Sequence, residues 1–189
     1  MYHIAIPDAP TAELPAELQE VARNGALVNV FRIMLRSPQI ATRVVELGAA
    51  QFGSGSLPPA DRELSILTAG TCFRSAYEVS QHEGISQSVG VTASQRAAVA
   101  VQQWDAPELS EPQRALLAFV AAVAAGPTVP EPVLDAVQQH YTAQQIVEAV
   151  ILTGYYFLIA RVGTVFAIPQ DPQQGDTVLR AGVSMNERT

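Results

Sequence analysis

Apolar residues along the chain recur with the spacing of helices, and proline or glycine separates one such stretch from the next. No run of alternating polar and apolar residues extends beyond a few positions, which argues against strands. Between Leu27 and Arg36, apolar residues stand at positions 27, 28, 30, 31, 34 and 35, which form one face of a helix. The pattern therefore predicts an all-α protein.

Capping residues and prolines set the expected bounds of the helices. Ser37 and Pro38 open a helix that extends to about Gln51, and a loop follows it. The other helices are expected at residues 11–23, 59–73, 75–88, 92–104, 110–126, 130–141 and 142–168. We expect three parts, namely an N-terminal segment of residues 1–26, a helical domain of residues 27–168 and an exposed C-terminal tail of residues 169–189.

The stretch 149–168 is mostly apolar and has about the length of a membrane span. Arg161 lies inside it and no basic flank follows, so a buried helix in an oligomer is favoured over a membrane helix. Hydrophobic residues make up 48% of the chain and charged residues only 15%. This balance indicates apolar surface that another copy of the chain covers. We expect a homo-oligomer that has no membrane partner.

Residue counts exclude several kinds of chemistry. The net charge is -7 and no basic cluster is present, so nucleic acid is not an expected partner. All eleven basic side chains are arginines, so this chain cannot form a lysine Schiff base. The single cysteine, Cys72, cannot form an intramolecular disulfide. The histidines His3, His82 and His140 are far apart, and no metal site is expected.

The first ten residues show neither the basic region nor the apolar region of a secretory signal. We therefore expect a cytoplasmic protein.

Residues 75–82, SAYEVSQH, have two interpretations, a capped helix start and an acid/base site, and these do not exclude each other. Ser75 and Glu78 have the spacing of a capping box, which is a common helix start. Glu78 and His82 are four residues apart on one helix face, and a carboxylate beside an imidazole fixes the tautomer of a general acid/base. Glu63 lies among apolar residues of the preceding helix and needs a partner or water. We expect Ser75 and Glu78 to cap the helix and His82 to face Glu63.

The order of Glu63, Ser75, Glu78 and His82 resembles the carboxymuconolactone decarboxylase and alkylhydroperoxidase D superfamily. Its peroxidase branch has a glutamate, then a C-x-x-C pair, then a histidine four residues later. Glu63 and His82 match, and the two cysteine positions fall on Ser75 and Glu78. The likeness extends over residues 27–168, through LVNVFRIMLRSP and AVILTGYYFLIARVG. It implies an alkylhydroperoxidase-D-like helical bundle that assembles as a trimer or hexamer.

Without the two thiols, peroxide reduction through sulfenic acid and a disulfide cannot occur, so the resemblance points to a non-thiol branch. The decarboxylases of this superfamily work without a cofactor on lactones and related carboxylates. The resemblance therefore implies a cofactor-free lyase or isomerase that acts on a small lactone or oxo-acid. His82, Glu63 and Glu78 are its expected catalytic residues.

Further residues are candidates for contact with this small-molecule substrate. Tyr77 or Ser75 is expected to contact a developing oxyanion. Arg161 is a candidate clamp for a substrate carboxylate, or else a charged partner at a subunit contact. Tyr155 and Tyr156 are expected to line the site or to pack, rather than to react. The alternative is a non-catalytic oligomer, structural or small-molecule-binding, and a closed pocket shared by the three catalytic candidates would favour the enzyme.

Overall fold

The computed structural model describes residues 5–7, 11–23 and 25–172. This part of the chain is helical and contains no strand, which confirms the all-α prediction. A short 3-10 helix, Thr11–Glu13, precedes the α-helices. In chain order these are α1 Ala16–Arg23, α2 Asn29–Met34, α3 Pro38–Gly53, α4 Pro59–Cys72, α5 Ala76–Ser88, α6 Ala93–Ala100, α7 Glu111–Ala125, α8 Glu131–Gln138 and α9 Ala143–Val165.

Three of the helix starts are complete capping boxes. The hydroxyls of Thr92, Ser110 and Thr142 each accept a hydrogen bond from the backbone N–H three residues later. In each case the side chain of the glutamine at that later position accepts from the N–H of the capping residue. These reciprocal bonds satisfy two donors that a helix start otherwise leaves unpaired, which explains why α6, α7 and α9 begin where the sequence predicts.

Helix α6 ends earlier than expected, before Trp104. Gln102 has a φ of 60°, in the left-handed region, and the N–H of Gln103 donates to the carbonyl of Ala98 at 3.0 Å. This is the hydrogen-bond pattern of a Schellman motif at a helix C-terminus. The predicted helix over residues 92–104 is therefore too long, because the capping turn follows directly after Ala100.

Helix α4 is the centre of the fold. It packs against α5, α6, α7 and α9, and residues 62–70 are all buried. Because it is covered on every side, it carries Arg62 and Glu63 into the interior together with its apolar residues. Helix α1 lies against α3, where Leu18 and Val45 belong to one hydrophobic cluster.

The chain after α9 folds back across α2 and α5. The carboxylate of Asp171 accepts hydrogen bonds from the N–H of Asn29 at 3.0 and 3.1 Å and from the hydroxyl of Tyr77. The side-chain amide of Gln81 donates to the carbonyl of Asp171 at 3.0 Å. The expectation of an exposed tail is therefore wrong at Asp171. Residues 173–189 lie outside the described residues.

In the described part of the chain, α9 is long and apolar enough to cross a membrane by length and composition. However, 44% of its apolar 18-residue stretch is buried inside the protein, where the helix packs on α4, α5 and α7. Its outer face is an apolar stripe whose members are between 40 and 70% exposed. We call this the α9 stripe, and it consists of Val147, Val150, Ile151, Phe157, Leu158 and Val165.

Candidate functional site

A cavity of about 90 Å³ lies between α2, α3, α5 and α9, and the segment before α2 forms part of its wall. Most of its described walls are apolar, including Val28, Phe31 and Phe52. The polar residues that line it all come from α5 and α9: Tyr77, Glu78, Gln81, His82, Tyr155 and Tyr156. Two of the expected catalytic residues, Glu78 and His82, therefore share one cavity.

Glu63, His82 and Tyr156 form a continuous hydrogen-bonded set. Nδ1 of His82 lies 2.8 Å from Oε2 of Glu63, and Nε2 lies 3.0 Å from the hydroxyl of Tyr156. All three residues are buried, and Glu63 is fully so. A carboxylate that accepts from Nδ1–H fixes the tautomer, which leaves Nε2 to accept the tyrosine proton. The expected contact between His82 and Glu63 is present, with Glu63 behind the ring and outside the cavity.

Arg62 supports the carboxylate of Glu63 from the same helix. Its Nε lies 3.6 Å from Oε1 of Glu63, and its guanidinium carbon lies 4.4 Å from the centroid of the Phe52 ring. Phe52 in turn stacks on His82, with 6.4 Å between the ring centroids. A buried carboxylate needs such a partner, because an isolated charge in the interior is costly. Arg62 was missed from the sequence, although two adjacent charges in an apolar helix were a usable signal.

Glu78 lines the cavity with a carboxyl group that no described residue stabilises by a hydrogen bond. Its side chain is buried, and neither carboxyl oxygen has a hydrogen-bond partner among the described residues. Burial raises the pKa of Glu78 from 4.5 to about 8, and the positive charge of Arg161 opposes this shift. At neutral pH the carboxyl is therefore mostly protonated and able to donate a hydrogen bond.

The predicted capping box of Ser75 and Glu78 is wrong. Ser75 occupies the N-cap position of α5, but its hydroxyl accepts no cap bond and is buried without a described partner. Its N–H, which Glu78 would have to reach, already donates to the carbonyl of Gly70 at 2.9 Å. Arg74, with a φ of 57°, makes the left-handed turn that closes α4 in this way. The end of α4 therefore uses the donor that the box requires.

The three predicted substrate contacts have different positions. The ring of Tyr77 lines the cavity, but its hydroxyl is bound by Asp171 and by the N–H of Val30 at 3.4 Å. Ser75 is not among the described residues that line the cavity. Arg161 is exposed on α9, outside the cavity, with its guanidinium carbon 4.9 Å from the centroid of the Phe157 ring.

Both tyrosines that were expected to line the site or to pack do line the cavity, and their hydroxyls are part of its polar surface. Tyr156 is the Nε2 partner of His82, and burial raises its pKa well above the ordinary value. The hydroxyl of Tyr155 is buried without a described partner, and its pKa is raised by burial and by the nearby Glu78. A Cβ at Gly48 would clash with this hydroxyl oxygen, so the glycine makes room for it. The adjacent tyrosines in an apolar helix were the signal available in the sequence.

Cys72 is half-buried and unpaired. Burial raises the pKa of its thiol, which disfavours the reactive thiolate. Across the described residues, no group of three His, Cys, Asp or Glu side chains is placed to hold a metal ion.

No protein-family model matches the sequence, and no curated protein has a significantly similar sequence. The fold, in contrast, is close to solved structures. The alkylhydroperoxidase AhpD core of an uncharacterized peroxidase-related protein from Ralstonia eutropha is 20% identical over 96% of each chain, with a TM-score of 0.77. An uncharacterized peroxidase-related protein from a Silicibacter species is 17% identical over 88% of this chain and 91% of that chain, with a TM-score of 0.72.

A third similar structure contains a small molecule. It is a cysteine-to-alanine variant of the debrominase Bmp8 in complex with 2,3,4-tribromopyrrole. This chain is 16% identical to it over 100% of its own length and 98% of that chain, with a TM-score of 0.75. The protein therefore has the alkylhydroperoxidase-D-like fold that its sequence predicts.

Proposed function

We propose that this protein is a cofactor-free enzyme that transfers protons on a small molecule, as a lyase or isomerase of a lactone or oxo-acid. The observation that carries the proposal is the buried set of Glu63, His82 and Tyr156, which reaches a mostly apolar cavity beside the carboxyl of Glu78. Buried acid/base groups beside a mostly apolar pocket are typical of proton-transfer sites. The debrominase of the same fold is further support for a small-molecule substrate.

The hydrogen-bond order suggests the path of the proton. A C–H bond beside the substrate carbonyl breaks, and its electron pair remains on the substrate as an enolate. The proton passes to the hydroxyl oxygen of Tyr156 while the hydroxyl proton passes to Nε2 of His82. Glu63 stabilises the resulting imidazolium at Nδ1 and keeps its own charge. Return of the proton to another carbon completes an isomerisation.

An oxo-acid reaches the same enolate by a different bond cleavage. Loss of CO2 leaves the electron pair of the broken C–C bond on the substrate. For this reaction His82 begins as the imidazolium, which has taken a proton from solvent and which Glu63 stabilises at Nδ1. Tyr156 gives its hydroxyl proton to the carbanion and takes the Nε2 proton of His82, so that His82 ends neutral and solvent restores its proton for the next turnover. One acid/base set therefore serves both reaction types of the proposal.

A non-catalytic small-molecule-binding protein is the second candidate. The observation that favours it is the position of Tyr156, whose hydroxyl already occupies Nε2 of His82. If this bond never opens or relays a proton, the set only holds α5 and α9 together around an apolar cavity. Ligand binding without any acceleration of proton exchange is the expected behaviour of such a protein.

The proposed enzyme is a homo-oligomer, a trimer or hexamer, in the cytoplasm. The α9 stripe supports the oligomer, because exposed apolar patches on one helix face are typical of subunit contacts. A free thiol such as Cys72 stays reduced in the cytoplasm.

The test is an activity screen in D2O with small lactones, ketones and β-keto acids. NMR measures deuterium incorporation beside the carbonyl, and CO2 release is measured for the keto acids. We expect the wild type and the exposed-site control His140→Ala to accelerate exchange or release on at least one compound. His82→Ala should lower that rate ~10²–10⁴-fold. A bound compound that exchanges no faster than in buffer would favour the non-catalytic protein.

A further inference from the structure

Two polar groups of the cavity have no described hydrogen-bond partner. They are the carboxyl of Glu78, on a residue that is 2% exposed, and the hydroxyl of Tyr155, on a residue that is 6% exposed. Buried polar atoms in native proteins are nearly always hydrogen-bonded, to protein, to water or to a ligand. Both residues line the same cavity, and Glu78 contributes to the raised pKa of Tyr155, so the two groups are near each other and a molecule in the cavity is the natural partner for both.

The other hydrogen-bond donors of the wall already have acceptors. The hydroxyl of Tyr77 donates to Asp171, and the side-chain amide nitrogen of Gln81 donates to the backbone of the same residue. Both ring nitrogens of His82 have partners. Among the described wall residues, Glu78 and Tyr155 are therefore the groups that remain to donate hydrogen bonds to the polar atom of a ligand.

The charges around the cavity select against an anion. No basic side chain is found among the described wall residues, since Arg161 is exposed outside and Arg62 lies behind with Glu63. A carboxylate that entered would lose its hydration without gaining a cation, which is costly.

We propose that Glu78 and Tyr155 form a two-donor site for the carbonyl oxygen of a neutral, mostly apolar substrate, and that the cavity rejects carboxylates. The inference rests on the proposed function and narrows its substrate class from lactones and oxo-acids to neutral carbonyl compounds. A carbonyl oxygen has two lone pairs and accepts from both groups at once. As the neighbouring proton leaves, the electron pair moves onto this oxygen, and both hydrogen bonds strengthen.

Donation by Glu78 requires its protonated form. The neutral state predominates below the pKa of about 8 that burial gives this carboxyl. A carboxylic acid held neutral in an apolar site is an established way to donate to an enolate oxygen, as in ketosteroid isomerase.

The test uses two shape-matched probe pairs that differ in charge, acetophenone with benzoate and the smaller butanone with propionate. Their dissociation constants for the full-length protein at pH 6.5 are measured by ligand-observed NMR titration. We expect at least one ketone to bind at least about tenfold tighter than its carboxylate partner, which corresponds to the loss of one good hydrogen bond.

Variants of Glu78 and Tyr155 test whether these two residues bind the ketone. Tyr155→Phe and Glu78→Ala should each weaken binding of the ketone about tenfold. Glu83→Gln, an exposed glutamate on the same helix, is the control and should leave it unchanged. Thermal melting confirms that each variant is folded. Glu78→Gln, which keeps a neutral donor, should bind the ketone within a few-fold of wild type.

Three results would overturn the inference. They are carboxylates that bind as tightly as the ketones, ketones that do not bind at millimolar concentration, and a ketone affinity that neither Tyr155→Phe nor Glu78→Ala changes. Because the readout is binding, it does not depend on turnover. A ketone preference together with no proton exchange would remove the proposed function and leave the carbonyl site standing.

Discussion

The carboxylate of Glu63 and the imidazole of His82 meet at 2.8 Å between two adjacent helices, α4 and α5, in the buried interior. The contact depends on the turn between these helices, where Arg74 adopts a left-handed conformation and Ser75 donates to the carbonyl of Gly70. This turn brings α5 back along α4, so that residues 19 positions apart face each other. The same turn uses the donor that Glu78 would need as a cap, and Glu78 lines the cavity with its carboxyl oxygens unpartnered.

The absence of a cap bond at Ser75 has a measurable consequence for stability. Ser75→Ala should destabilise the protein less than Ser110→Ala, because the hydroxyl of Ser110 accepts from the N–H of Gln113 whereas that of Ser75 accepts no such bond. Loss of a true cap costs about 1 kcal/mol. Urea unfolding of both variants measures the difference. A larger loss for Ser75→Ala would contradict the absence of the cap bond.

The raised pKa of Glu78 makes stability depend on pH. The folded protein keeps this proton up to about pH 8, whereas the unfolded chain loses it near pH 4.5. The stabilisation is therefore complete below pH 4.5 and is lost as the pH rises to 8. The other titratable groups on the elements around it include Tyr77, His82, Tyr155, Tyr156 and Arg161, together with Arg62 and Glu63 on α4.

Glu78→Gln removes this titration and gives a direct comparison. We expect the free energy of unfolding of wild type to fall by roughly 3–5 kcal/mol more than that of the variant between pH 4.5 and 8. Urea unfolding across this pH range measures both curves. Parallel curves for the two proteins would show that the folded state does not hold this proton.

The α9 stripe should lie at a contact between copies of the chain. Phe157→Glu places a charge in the stripe, and we expect it to lower the mass measured by light scattering at micromolar concentration. Val101→Glu is the control, because Val101 is also exposed and apolar but lies at the end of α6. A wild type that is already monomeric without detergent would contradict the proposed oligomer.

The lone thiol should not contribute to the principal activity. A dithiol cycle needs a second cysteine, which this chain lacks. Cys72→Ser is therefore expected to change the rate by no more than a few-fold, and neither protein should reduce peroxide at the expense of a dithiol. Peroxide turnover that this substitution abolishes would overturn the non-thiol interpretation.

Much of the architecture could be predicted from local patterns. The prolines and capping residues at the helix starts, such as Thr142 with Gln145, act within one turn, so the sequence alone predicts them. The meeting of His82 with Glu63 was also predictable, because it needs only two consecutive helices. The failure of the cap at Ser75 was not predictable, because the carbonyl that takes the N–H of Ser75 belongs to Gly70 in the preceding helix.

Contacts between residues that are far apart along the chain could not be predicted from the sequence alone. The bond between Asp171 and Tyr77 joins residues 94 positions apart, and that between Tyr156 and His82 joins residues 74 apart. The outward position of Arg161 depends on the rotation of α9, which is apolar on nearly every face and gives no periodic signal. The pairing of Tyr155 with a glycine in α3 depends on how the two helices approach.

The central claim is that Glu63 holds His82 for proton transfer, and one comparison tests it most directly. Glu63→Gln keeps the size of the buried side chain and removes its charge, while Glu131→Gln makes the same change at an exposed site. The measurement is the rate of deuterium exchange into the best compound of the screen, divided by the folded fraction from thermal melting. We predict that Glu63→Gln lowers this rate ~10²–10⁴-fold and that Glu131→Gln leaves it unchanged. A Glu63→Gln rate per folded molecule equal to that of wild type would contradict the claim.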